Sequence, residues 1–215
     1  MSIVVRHLPF DTERYPLARE GAKALGCTSL ERLADEQLER KRSLGERPRL
    51  TYQDNLRLRA VLASLPLDHP LMVVYTRLVT EVVAPWFGGR ISYTQSPTFR
   101  VHMAGTPSVS DWHRDADVTR RVDYLTGWAP FVDTFDTNAL WVEQSYGGAD
   151  YAPIPVVYGE VLIFDGALLR HGSQANTTPS SRVSLDFRFA AKAGSHDHGI
   201  FSPRPPPPYE LVTVR

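Results

Sequence analysis

Apolar residues recur every three or four positions through the first third of the chain, the spacing of a helix that buries one face. The segment SLERLADEQLERKRSLGE, starting at Ser29, carries Leu30, Leu33, Leu38 and Leu44 as an apolar stripe interrupted by charge. A second helix is predicted behind a cap at Thr51 or Asp54, with Leu56, Ala60, Leu62 and Ala63 at helical spacing. A third runs from His69 to about Val83 through Leu71, Val74, Leu78 and Val82, and Pro85 with Gly88 and Gly89 is expected to stop it. These leucines read as core packing.

After Gly89 the pattern changes. ISYTQSPTFRVHM, YLTGWAPFV, NALWVEQ, VVYGEVLIFD and SRVSLDFRFAA are short, rich in β-branched and aromatic residues, and separated by turn residues. Such segments predict an antiparallel sandwich or jelly roll, and the crossover helices of a parallel sheet are missing between them. The expected fold is mainly β with a helical N-terminal third, in a single domain 1–215. Residues 1–89 are read as helical support, 90–192 as the jelly-roll core and 193–215 as a proline-rich tail.

Composition narrows the chemistry. Lys and Arg number 24 and Asp and Glu 24, a balance that argues against a nucleic acid or a membrane surface as partner. No apolar run approaches the ~20 residues that span a bilayer. The opening MSIVVRHLPFDTER meets Arg6, His7 and Asp11 too early for a secretion signal, so a cytoplasmic location is expected. Cys27 is the single cysteine, which excludes an internal disulfide and a thiolate metal cluster. A small-molecule substrate is the expected partner; oligomeric state is not legible.

Three signals carry chemistry. His113-Arg114-Asp115 places an imidazole and a carboxylate two residues apart, on one face if the segment is a strand. His171 follows the buried-looking GEVLIFDGALLRHG, 56 residues beyond Asp115. Two histidines and a carboxylate form the facial triad that holds non-haem Fe(II) with open positions. Arg182, eleven residues past His171 and two before Ser184, can reach back to clamp a dicarboxylate in a bidentate pair. Iron, Asp115, a dicarboxylate and Arg182 together sum to zero charge, which avoids an unpaired buried charge.

Residues from about Gln95 to Phe189 resemble the Fe(II)/2-oxoglutarate oxygenases of the phytanoyl-CoA hydroxylase superfamily, and most closely small antibiotic-pathway members such as the streptomycin-pathway and orthosomycin oxygenases. The resemblance rests on His113-x-Asp115, Trp128-Ala129-Pro130, the Thr137–Glu143 segment, Gly159–Phe164, His171-Gly172-Ser173, Asn176 and Arg182-Val183-Ser184. It implies a double-stranded β-helix, cupin-like and buttressed by helices. It implies Fe(II), 2-oxoglutarate and O₂ as cofactor and cosubstrates, with His113, Asp115 and His171 as iron ligands and catalytic centre. It makes Arg182 the clamp for the distal carboxylate, with Ser173 and Ser184 as hydroxyl donors and Trp128 as a wall. Glu143-Gln144-Ser145-Tyr146 departs from the Pro-Gly-Ser-His motif of larger members. A related halogenase is disfavoured, because such enzymes replace the carboxylate ligand that Asp115 supplies.

Other residues are candidates with open alternatives. Gln95, Thr98 and Arg100 are read as partners of the proximal carboxylate or of substrate, or as an ordinary cross-strand polar set. Trp141 and Glu143 share a strand face, and if it is inward they suit a sugar or a cationic aminocyclitol. Trp112 and Asp117 flank the metal pair and are further substrate candidates. His102 reads as a packed strand histidine, and His196 with His198 as a solvated loop. The expected substrate is a saccharide or aminoglycoside-like natural product, oxidised by hydroxylation or ring closure. Two competing readings remain: a cupin-like metal-dependent isomerase or hydrolase, and a non-catalytic small-molecule-binding jelly roll.

Overall fold

A computed structural model describes residues 5–191, so the proline-rich tail and the His196–His198 pair lie outside the described residues. The chain opens with strand β1 (Val5–Pro9), then helices α1 (Leu17–Leu25), α2 (Leu33–Ser43), α3 (Tyr52–Ala63) and α4 (Pro70–Leu78). A π-helical turn, Val79–Val83, joins α4 to the short α5 (Ala84–Trp86). Strands β2 (Ile91–Tyr93) and β3 (Thr98–His102) precede α6 (Asp115–Thr119). The remainder is β4 (Leu125–Pro130), β5 (Leu140–Glu143), β6 (Tyr151–Ile154), β7 (Glu160–Phe164), β8 (His171–Gly172) and β9 (Arg182–Ala191).

Two antiparallel sheets result. The larger runs β1-β7-β4-β9-β2, with β3 paired to the first half of β9; the smaller runs β6-β5-β8. The double-stranded β-helix and the helical N-terminal third are therefore present. Strand β1, which the sequence pattern does not announce, pairs with β7 and supplies an edge the segment after Gly89 lacks. Helix α1 is likewise additional, and it buries Leu17, Glu20, Gly21 and Leu25.

Helix details shift for identifiable reasons. Thr51 caps α3 with Asp54, whose carboxylate accepts from the Thr51 amide at 2.8 Å and hydroxyl at 2.9 Å. Ala60 and Ala63 are exposed, because α3 packs through Asn55, Leu58 and Leu62 against β3. Leu44 is also exposed, since α2 has ended at Ser43. Pro85 does not stop the helix; the π turn ahead of it absorbs the donor that proline lacks, and the helix continues to Trp86.

The helices cover the outer face of the large sheet, where Leu71, Tyr75 and Leu78 meet Val183, Leu185, Phe187 and Phe189. A smaller cluster, including Trp128, Val142, Leu162 and Phe164, lies between the sheets. Gly127 is required by close approach, because a Cβ there would collide with the Phe187 ring. No helix among the described residues is long and apolar enough to cross a membrane.

Candidate metal centre

The ligand atoms of His113, Asp115 and His171 all lie within 4.8 Å of one another between the two sheets. The His113–Asp115 pair does not lie on one strand. His113 forms an isolated antiparallel bridge with His171, and Asp115 is the first residue of α6. The bridge sets the imidazoles side by side with ring centroids 4.5 Å apart. The turn into the helix then points Asp115 Oδ1 at both rings, 3.6 Å from His113 Nε2 and 3.9 Å from His171 Nε2.

Backbone carbonyls fix the imidazoles. His113 Nδ1 lies 2.7 Å from the Asp111 carbonyl, and His171 Nδ1 2.9 Å from that of Leu169. A carbonyl only accepts, so each Nδ1 carries the hydrogen and each Nε2 turns its lone pair to the shared point. The Thr126 hydroxyl donates to Asp115 Oδ2 at 2.5 Å. Gly166 leaves room for this carboxylate: a Cβ there would lie 2.9 Å from Asp115 Oδ2 and strike the Thr126 hydroxyl. Two imidazoles and one carboxylate on one side of an open space fit the donor set of a non-haem iron.

The charges follow from burial and partners. Burial alone would raise the Asp115 pKa, but the His113 hydrogen bond and the charges of His171 and Arg188 outweigh it and hold the carboxyl far below its usual range. The Asp115 hydrogen bond raises His113 against the opposing effect of burial. Burial lowers His171.

A narrow cavity opens beside the triad, lined by Arg100, Trp128, Leu140, Phe164, Arg182 and Arg188 among others. Strand alternation along β9 turns Arg182, Ser184, Asp186 and Arg188 to this lumen, and Val183, Leu185, Phe187 and Phe189 to the helices. Arg182 is buried and donates through Nη1 to the carbonyls of Asn138 at 2.8 Å and Ala139 at 3.2 Å. Its guanidinium carbon lies 5.7 Å from the centre of the Trp128 ring. Burial, then the charge of Arg100, lowers its pKa to about 9, so it stays cationic at neutral pH. Arg182 Nε and Ser184 Oγ are buried without a hydrogen-bond partner, two orphaned atoms that fit the oxygens of a bound carboxylate.

The other candidates divide. Trp128, Ser173 and Arg100 line the cavity. Ser173 Oγ is already engaged, accepting from the amides of Val109 and Ser110 at 3.1 Å each. Gln95 is exposed in the bend between β2 and β3, outside the cavity. Trp141 and Glu143 share a face of β5, but it is the outer one: Leu140 lines the cavity and Val142 is packed between the sheets. Glu143 is buried on that outer side, where its carboxylate accepts from the amides of Ala149 and Arg170. The Trp112 ring packs tilted against Tyr151 with centroids 4.4 Å apart, and Asp117 is exposed and accepts from the Arg114 amide. None of these four lines the cavity. His102 is a packed strand histidine beside Arg182, as expected.

Asp186, Arg188 and Thr126 were not anticipated. Arg188 Nη1 lies 2.5 Å from Asp186 Oδ1, and Arg100 Nε 3.4 Å from Asp186 Oδ2. The period-two alternation of R-V-S-L-D-F-R, read through to Arg188, was the signal that could have found the first two.

No family model matches the chain. Over 92 residues it is 40% identical to the streptomycin biosynthesis protein StrG of Streptomyces griseus, a match spanning 43% of each chain and therefore less than half the length of that relative. In structure it is similar to AviO1 from Streptomyces viridochromogenes Tue57, with TM-score 0.57, 16% identity and coverage of 96% of this chain and 94% of that one. It is also similar to CytC3, solved with Fe(II) and alpha-ketoglutarate, with TM-score 0.52, 16% identity and coverage of 88% and 74%. The non-heme alpha ketoglutarate dependent epimerase SnoN from nogalamycin biosynthesis has the same TM-score and identity, with coverage of 86% and 76%. The chain thus has the fold of the non-haem Fe(II)/2-oxoglutarate oxygenases and, over part of its length, resembles a protein of streptomycin biosynthesis.

Proposed function

We propose that this chain is an Fe(II)- and 2-oxoglutarate-dependent oxygenase that oxidises an unactivated C–H of a small hydrophilic, sugar-containing natural product in antibiotic biosynthesis. One observation carries the reading: the convergent His113, Asp115 and His171 donors share a cavity with the buried guanidinium of Arg182. A metal-dependent isomerase or hydrolase has no use for that second, cationic feature.

When bound, iron and 2-oxoglutarate supply the oxidising power, O₂ being consumed as 2-oxoglutarate loses CO₂ to become succinate and the substrate C–H is oxidised. The protein's part is orientation and exclusion of water. His113 and His171 present Nε2 because Asp111 and Leu169 hold Nδ1–H. Asp115 supplies one negative charge, steadied by Thr126. Arg182, pinned by the Asn138 and Ala139 carbonyls, offers Nε to the distal carboxylate with the Ser184 hydroxyl alongside. Trp128, Leu140 and Phe164 wall the cavity with apolar surface, which strengthens charge interactions inside.

Succinate formation by the Fe(II)-loaded protein is the test, measured with 2-oxoglutarate and a panel of sugars, aminoglycosides, amino acids and acyl thioesters. Stimulation by a saccharide supports the proposal. Stimulation by lipid thioesters alone would leave an oxygenase with a different substrate, and no 2-oxoglutarate turnover under any condition would remove the oxygenase reading itself.

A further inference from the structure

The charges lining the cavity do not balance once iron and cosubstrate are counted. Among the described residues, three guanidiniums line this space, those of Arg100, Arg182 and Arg188, against the carboxylate of Asp186 on the lining and that of Asp115 behind His113 and His171. His113 and His171 must be neutral at Nε2 to act as ligands. Fe(II) adds two positive charges and 2-oxoglutarate removes two, so the loaded cavity keeps an excess of one positive charge.

The excess has an address. Asp115 would serve a bound iron together with the proximal carboxylate, and Arg182 would hold the distal one. Asp186 lies between two guanidiniums, its oxygens 2.5 Å from Arg188 Nη1 and 3.4 Å from Arg100 Nε, while Arg188 Nη2 also lies 2.5 Å from Asp115 Oδ1, whose charge the iron would already use. Asp186 can neutralise only one of them. The three side chains are all largely buried, with 18%, 10% and 16% of the Arg100, Asp186 and Arg188 side chains exposed, so bulk water screens the surplus weakly. Arg188 Nε is buried without a hydrogen-bond partner, which leaves a donor for an incoming acceptor. Glu143, the carboxylate that would suit a cationic amine, faces away from this space and is held by backbone amides.

We propose that the Arg100–Asp186–Arg188 set recognises one anionic group on the substrate, a carboxylate or a phosphate, so that the preferred substrate is an acidic or phosphorylated saccharide and a cationic aminocyclitol is rejected. The proposal rests on the oxygenase reading, since iron and 2-oxoglutarate enter the charge balance of the cavity. A guanidinium pair matches the planar, two-oxygen geometry of either anion, and like charges would repel an ammonium group.

Calorimetry on the protein loaded with Mn(II) and saturating 2-oxoglutarate tests it without turnover. The probes are glucuronate, glucose 6-phosphate, glucose and glucosamine, a set that varies charge on one ring. Either anionic sugar should bind at least tenfold more tightly than glucose, with glucosamine weakest, and the two anions separate carboxylate from phosphate recognition. Arg100→Gln should erase the preference, and Asp186→Asn, which adds to the surplus, should enlarge it; a merely structural role predicts no such opposition. Equal or better binding of glucose or glucosamine, or no anion binding at millimolar concentration, overturns the proposal while leaving metal-dependent 2-oxoglutarate binding intact. Loss of 2-oxoglutarate affinity in Arg100→Gln with the sugar preference unchanged overturns it too, giving that side chain to the cosubstrate. Failure of the parent protein to bind 2-oxoglutarate with metal would instead sink the oxygenase reading and this inference together.

Discussion

Arg188 Nη2 lies 2.5 Å from Asp115 Oδ1, the same oxygen that faces His113 Nε2 and His171 Nε2. Without metal, Arg188 therefore joins His113 and His171 in keeping a buried carboxylate ionised. A metal ion and Arg188 compete for, or share, that oxygen. Arg188→Met should destabilise the metal-free protein by about 3 kcal/mol, the cost of leaving a buried charge unpaired. Added metal should then raise the melting temperature more in the variant than in the parent, because the ion becomes the carboxylate's main partner. Thermal melts with and without Mn(II) check this, and an equal metal-induced rise in both proteins would contradict it.

Metal affinity should climb with pH past the ordinary histidine range. The ligand form of His113 is neutral, and its pairing with Asp115 raises the pKa of the metal-free protein above 6.5. A proton therefore competes for Nε2 at higher pH than it would on a free imidazole, and weakens binding as pH falls. Titrations with Mn(II) from pH 6 to 8 should show the rise. His171→Ala should abolish stoichiometric binding across that range, since three protein ligands leave no redundancy.

Arg182→Lys should weaken 2-oxoglutarate binding by roughly 2–4 kcal/mol, about 30- to 1,000-fold, in calorimetry with metal present. An ammonium keeps the charge but cannot hold the Asn138 and Ala139 carbonyls and a carboxylate with one planar group. Unchanged cosubstrate affinity would remove Arg182 from the clamp.

His102 should make the protein acid-sensitive. It is fully buried, neither ring nitrogen has a hydrogen-bond partner, and burial followed by the charge of Arg182 lowers its pKa to about 3. Peptide groups of Thr106 and Pro107 pull weakly the other way without reaching hydrogen-bond geometry. The unfolded chain takes up this proton near pH 6.5 and the folded chain does not, so stability is complete above 6.5 and falls as pH drops towards 3. By pH 4 the loss from this residue should be on the order of 3 kcal/mol. Urea denaturation at pH 7 and pH 4 should show a smaller difference in His102→Gln than in the parent.

Local chemistry in the sequence determined a good deal. The change from helical spacing to short β-rich segments after Gly89 separated support from sheet, and Thr51 with Asp54 marked a helix start that the structure reproduces. Short motifs singled out His113, Asp115, His171 and Arg182, and the fold brings the first three together with Arg182 on the adjoining cavity. β1 was not legible, because a five-residue edge strand is defined by its distant partner β7 and carries little pattern of its own.

Which face of each strand meets the cavity was decided only by tertiary structure. Alternation tells that Trp141 and Glu143 agree with one another, and likewise Arg182 through Arg188, but it does not say which of two equivalent faces is inside. That sign depends on how β5 pairs with β8 and how β9 lies against β4 and β3, contacts between residues far apart in sequence. For β9 it turned four polar residues inward, and for β5 it turned the tryptophan and the glutamate out. The charge of the cavity follows from that choice of face: it is a sum over side chains from two strands and a helix end, and no local stretch of sequence contains it.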